Sequence, residues 1–272
     1  MRTPTDLPRR GPRMPGKRGR WWLIAVIVII VILLGSLKSL AILYTDSLWF
    51  SSVHQHPVWS TLLAVKVGLF ASFGAIFFVV LWVNLIICDR LGQSADAPNP
   101  EDELVRRYQQ AVRPYSGRIN AAVAVVIALI AASGTIGEWQ NWILFTHSVP
   151  FGMKDPQFGI DDSYFVFRLP FLEFLVNWIL ISLVVILIVT AIFHYLNGGI
   201  RAQRVSPRVR PQVKVHLSVL LALVALTKAA GYYLQRYQLV VSGKGYVNGA
   251  GYADVHARLP ALELLTIISI FA

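Results

Sequence analysis

Lys38, Lys66 and Lys228 each interrupt a long run of apolar residues. An ammonium in hydrocarbon is costly unless it is paired or reaches water, so these three positions are the first place to look for binding chemistry. If the runs span about 21–43, 60–87 and 214–234 as helices, each lysine lies five or six residues from the same end of its run, roughly 8 to 10 Å below the boundary. Two readings stay open. Each lysine snorkels independently to the interface along its aliphatic stem, or the three form a cationic pocket. The partners of such a pocket would be Asp46, Glu138, Glu173 or Asp254, or an anionic lipid or solute.

Other polar clusters promise less. The glycines of SGKGYVNGAGY (242–252) lack the Lys-Ser/Thr pair of a phosphate-binding loop, since Gly245 follows Lys244. Asp155, Gln157, Gly159 and Asp161 alternate as calcium-loop ligands do, but Ile160 and Val166 stand where that loop needs its turn glycine and its bidentate Glu. His54, His56, His147 and His256 are expected on one side of the membrane, where zinc would require them to converge. One cysteine, Cys88, excludes an internal disulfide and any multi-cysteine metal site. Neither HExxH nor GxSxG occurs. The reading is therefore non-enzymatic, with no catalytic residue, no metal and no cofactor.

The elements that position these residues follow from hydropathy. The chain has 272 residues, of which 56% are hydrophobic and 14% charged, and its apolar runs match the length a helix needs to cross a bilayer. The expected fold is all-α, a polytopic transmembrane helical bundle. Residues 1–20 form a basic disordered cytoplasmic tail, and 21–272 the transmembrane domain. Five helices cross completely, at about 21–43, 60–87, 119–137, 171–195 and 214–234. A sixth begins near Pro260 and is too short to cross by Ala272, as expected for part of a longer protein.

Seventeen of the 25 Lys and Arg fall on the side of the N-terminus, five on the other side and three within the runs. By the positive-inside rule this multi-pass protein of the cell membrane has a cytoplasmic N-terminus. The net charge of +11 thus reflects topology, and nucleic acid is not an expected partner. The expected partners are the bilayer, anionic lipids, and envelope proteins or a second copy of the chain. DPQFGIDDSYFVFRLP (155–170) is placed at the end of an outer loop of some thirty residues, with Trp139, Trp142 and His147. There it would serve as an aromatic anchor at headgroup level, with Pro170 in the first turn of the next helix.

Four stretches, YTDSLWF (44–50), DPQFGIDDSYFVFRLPF (155–171), HYLNGGIR (194–201) and GAGYADVHARLPAL (249–262), together resemble the signature segments of uncharacterised protein family 0182. These are multi-pass bacterial, largely actinobacterial, membrane proteins. Ser47 departs from the tryptophan expected at that position. The resemblance implies a bundle of about seven helices followed by a large extracytoplasmic domain, and it carries no catalytic residues. The function expected is that of a membrane anchor or assembly platform for an extracytoplasmic envelope domain. The alternative is a transporter of an anionic or lipid-like solute that uses the outer lysines.

Overall fold

The computed structural model describes residues 18–93, 115–198, 200–201, 208–243 and 249–272. Most of the tail expected over 1–20 lies outside them. Seven α-helices occur among the described residues: α1 (Arg18–Ser52), α2 (His56–Gln93), α3 (Ser116–Ser133), α4 (Trp139–Thr146), α5 (Leu169–Leu196), α6 (Pro211–Gln238) and α7 (Leu259–Phe271). The strands among the described residues are β1 (Ile200–Arg201) and β2 (Arg208–Val209), paired antiparallel with Ile200 opposite Val209. Five segments are long and apolar enough to cross a membrane, 29–52, 56–91, 116–146, 164–196 and 211–238. The expected all-α bundle is thus observed, with five helical segments long and apolar enough to cross.

Helix ends differ from the expected boundaries. α1 continues to Ser52, nine residues beyond Leu43, so YTDSLWF is helical. Its polar residues are tolerated because Thr45 and Ser51 donate to the carbonyls of Ala41 and Ser47 one turn back, both at 2.8 Å. Lys38 is consequently fourteen residues from the end of its helix, whereas Lys66 and Lys228 are ten from theirs. In helical rise that is about 21 Å against about 15 Å, so counting from the helix ends does not give the common depth expected. The third crossing also extends further than the expected 119–137. A 3-10 turn (Gly134–Glu138) joins α3 to α4, which makes Trp139 and Trp142 helical residues and shortens the loop that follows to 147–163.

The chain divides into two compact units, Met1–Leu63 and Ala64–Ala272. In the first, the crossing part of α1 is wholly unburied, with Ile29, Val31, Leu34 and Leu37 all exposed. The second contains the core. One face of α3 presents Asn120, Ala124, Ala128 and Ala132, all buried, while Val126, Leu129 and Ile130 face outward. Small residues at every fourth position let helices approach closely, which is how bundles pack where lipid is as apolar as the side chains. A Cβ placed on Gly74 of α2 would lie 3.3 Å from Ala132 Cβ. Phe77, Leu81, Leu85, Ile186 and Phe193 fill the centre. Phe73 and Trp178 meet edge-on at 4.8 Å, and Trp178 Nε1 donates to Ala131 O at 3.2 Å, joining α2, α3 and α5.

The stretch 155–170 is folded structure more than anchor. Phe165 and Leu169 are buried with Tyr237 of α6. The Asp161 carboxylate accepts from the backbone N–H groups of Phe151, Gly152 and Ser163 at 2.9 to 3.0 Å. Asp155 Oδ2 accepts from Gln157 and Phe158 N–H, and Gly152 and Gly159 supply the positive φ of the two turns. These acids build turns, a use that competes with cation binding. Hydrogen bonding to Ser163 and to the backbone of Phe151 holds Asp161 well below the usual carboxylate range. A depressed carboxylate contributes stability above its unfolded value of about 3.9, and that contribution is lost as pH falls toward the folded value. We therefore expect lower protection of the Phe151, Gly152 and Ser163 amides, relative to the intrinsic exchange rate at the same pH, in Asp161→Ala at neutral pH, and in the parent protein only in acid. Hydrogen exchange with mass spectrometry checks both.

One further regularity emerges with the helices in place. Residues 168–175 and 258–265 both read Arg-Leu-Pro-x-Leu-Glu-x-Leu, ninety residues apart. Each follows a π-helical turn, Tyr164–Arg168 and Asp254–Arg258, closed by the N–H of Leu169 onto Tyr164 O and of Leu259 onto Asp254 O. The two copies start α5 and α7, which both pack on α6.

Candidate functional site

Within the second unit, the residues singled out from the sequence have separate partners. Lys66 lies over the Trp139 ring, 5.3 Å from its centroid, and Lys228 over Tyr232 of its own helix at 4.9 Å. Each ammonium thus rests on a different aromatic face, a favourable placement for a partly buried cation. Lys38 and Asp46 are exposed on α1, in the first unit. Glu138 Oε2 accepts from Asn141 at 2.7 Å. Asp254 pairs with Arg258 at 2.8 Å and accepts from Gly251 N–H. Among the histidines, His147 Nδ1 has local partners in Thr146 Oγ1 and Ile143 O, and His256 stacks on Tyr252.

Glu173 differs from the other acids. It lines a cavity of about 550 Å³ between the two repeated segments, with Pro170, Gln238, Arg258 and Ala261, and its Oε1 is buried without a hydrogen-bond partner. The equivalent residue of the second copy, Glu263, pairs with Arg236 of α6 at 3.2 Å.

A denser polar cluster lies at the opposite ends of the same helices. Asn84 and Cys88 are one turn apart on α2, Thr190 and His194 one turn apart on α5, and His216 is in the second turn of α6. His194 Nε2 is 3.5 Å from Cys88 Sγ and 3.0 Å from His216 Nδ1. His216 Nε2 is 3.0 Å from Asn84 Oδ1. Asn84 spends its amide on Val80 O at 2.7 Å, so its oxygen must accept, and His216 carries its proton on Nε2. Beside this cluster, Asp89 accepts from Asn120 at 2.7 Å and Asn197 at 3.2 Å, tying α2 to α3 and to the end of α5. Asn84, Cys88, Asn120, Thr190 and His194 are all buried. Sequence reading passed over this set, although pairs of polar residues one turn apart inside apolar runs are visible in the sequence.

The sequence model of the uncharacterised protein family UPF0182 matches residues 22–272. The chain belongs to UPF0182. Among curated relatives, a UPF0182 protein of Frankia alni is 41% identical over 83% of this chain and 22% of its own length. A UPF0182 protein of Nocardioides is 37% identical over 98% of the chain and 27% of its own length, and one of Streptomyces coelicolor 33% identical over 97% and 27%. The chain therefore spans about a quarter of the length of the relatives it matches. No solved structure matches it. As a UPF0182 chain it combines an uncharacterised family with five apolar helices fit to cross a membrane.

Proposed function

We propose that this chain is the membrane-embedded base of a larger envelope protein, an anchor and assembly platform for an extracytoplasmic part, and that it catalyses no reaction itself. The observation that carries this reading is length. The curated relatives extend to about four times the span matched here. The compact packing of the second unit supports it, since Trp178, the alanine face of α3 and the Asp161 turn make a rigid support. The bilayer and its anionic lipids are the first partners of such a base, and envelope proteins or a second copy the next.

Orientation has a direct test. A cysteine replacing Val149 or Tyr252, which are 64% and 80% exposed, should react with an impermeant thiol reagent in intact cells, whereas one replacing Gln212 should react only after permeabilisation. The reverse pattern would place the N-terminus outside. In proteoliposomes the protein should conduct neither anionic dyes nor labelled phospholipid. A flux that disappears in Lys66→Met and Lys228→Met would replace the anchor reading with transport through the lysines.

A further inference from the structure

The geometry points to a zinc site formed by Cys88, His194 and His216, independent of any anchoring role. The three donor atoms, one from each of three helices, lie within 4.8 Å of one another. Around a tetrahedral zinc with bonds of about 2.0 Å to nitrogen and about 2.3 Å to sulfur, neighbouring donors are separated by about 3.3 to 3.6 Å. The observed 3.0 Å between the imidazoles and 3.5 Å from sulfur to imidazole fall close to those edges. The third edge, between Cys88 Sγ and the His216 nitrogen, is wider, within 4.8 Å, so the Cys88 and His216 side chains must close by about 1 Å to admit the ion.

The groups that hold the ligands support the assignment. With its Nε2 proton donated to Asn84 Oδ1, His216 must present an unprotonated Nδ1 toward the centre of the trio, the arrangement by which ligating histidines are held. On the far side of the His194 ring, Nδ1 is buried without a partner, as is Thr190 Oγ1 one turn earlier on α5, so a zinc-bound His194 needs a small shift to give its Nδ1–H an acceptor. Without metal, His194 Nε2–H donates to His216 Nδ1. With zinc, Nε2 ligates and His194 carries its proton on Nδ1, while the Cys88 thiol loses its proton to solvent. Binding releases one proton net and strengthens as pH rises. Three protein ligands leave a fourth position open to water or another donor. Cys88, His194 and His216 are three, two and five residues from the ends of their crossing segments at 91, 196 and 211, so an ion could enter from one side without crossing the bilayer.

The test uses the whole protein, purified in detergent, stripped with chelator and titrated with cobalt(II) alone. We expect one equivalent bound, with the visible d–d bands of a tetrahedral site and a near-ultraviolet thiolate-to-cobalt band, all displaced by zinc. Cys88→Ser should abolish the thiolate band, His216→Gln should abolish tetrahedral binding, and Asn84→Ala should weaken zinc about 10- to 100-fold. His256→Gln, on an exposed histidine, should change none of these. Should a variant fail to fold, the unmutated protein still decides, because zinc must slow alkylation of the Cys88 peptide as mapped by mass spectrometry. Absence of tetrahedral cobalt in folded protein, a thiolate band retained in Cys88→Ser, or unprotected Cys88 at saturating zinc would each overturn the site.

Discussion

Trp178→Ala is expected to lose about 3 kcal/mol of stability, the lower end for removing a large aromatic, because the ring is only partly buried. The loss arises in three places. The edge-on contact with Phe73 and the longer one with Phe77 disappear from the α2 side, the hydrogen bond to Ala131 O disappears from the α3 side, and a hole opens between them. Trp178→Phe should retain most of the packing and give up chiefly the hydrogen bond, which within a membrane bundle averages about 0.6 kcal/mol. Thermal unfolding in detergent should therefore rank Trp178→Ala well below Trp178→Phe, with the latter near the parent. Equal losses for the two variants would mean that the indole N–H, and not the ring, holds the three helices.

Ala132→Leu is the second large effect. Ala132 is fully buried and faces Gly74, where even a Cβ would come within 3.3 Å. Three added carbons leave α2 and α3 no choice but to separate. Overpacking of this kind costs about 1 to 3 kcal/mol, and here it also disturbs the Asn120–Asp89 link on the same face of α3. Ile130→Ala, two residues away and 68% exposed, removes bulk that faces outward and should be near neutral in the same unfolding measurement. A comparable loss at Ile130 would show that α3 uses a different face for packing.

The fold was legible because bilayer thickness fixes how long an apolar run must be, and run length survives in a single sequence. The ends were not. Hydropathy reads composition, while a helix end depends on hydrogen bonding. Thr45 and Ser51 bond back to their own turn, so α1 continues through residues that look like loop. Trp139 and Trp142 were read as interfacial because tryptophans often are, yet Trp142 packs on Phe171 at 5.1 Å, a contact between residues 29 apart that no local pattern encodes. The family resemblance, carried by four helix-end motifs, was legible and is observed. For the site, the rule that a polar residue in hydrocarbon needs a reason pointed to the lysines, whose long stems are the ones best able to escape to water. Applied to Asn84, Cys88, Thr190 and His194, whose short side chains cannot, the same rule would have found the buried cluster. His216 joins it only through folding.

The ninety-residue repeat also has a symmetry. Between its copies lie α5 and α6, two helices each long and apolar enough to cross; with both crossing, the two copies would begin helices that run in the same sense. An even number of crossings would make the repeat parallel and not inverted. It does not supply the in-plane two-fold axis by which inverted repeats exchange inward-open and outward-open states. α6 sits between the two copies as their common neighbour, offering Gln238 toward the Glu173 cavity and Arg236 to Glu263. One helix thus discriminates between near-identical partners by two side chains of its final turn.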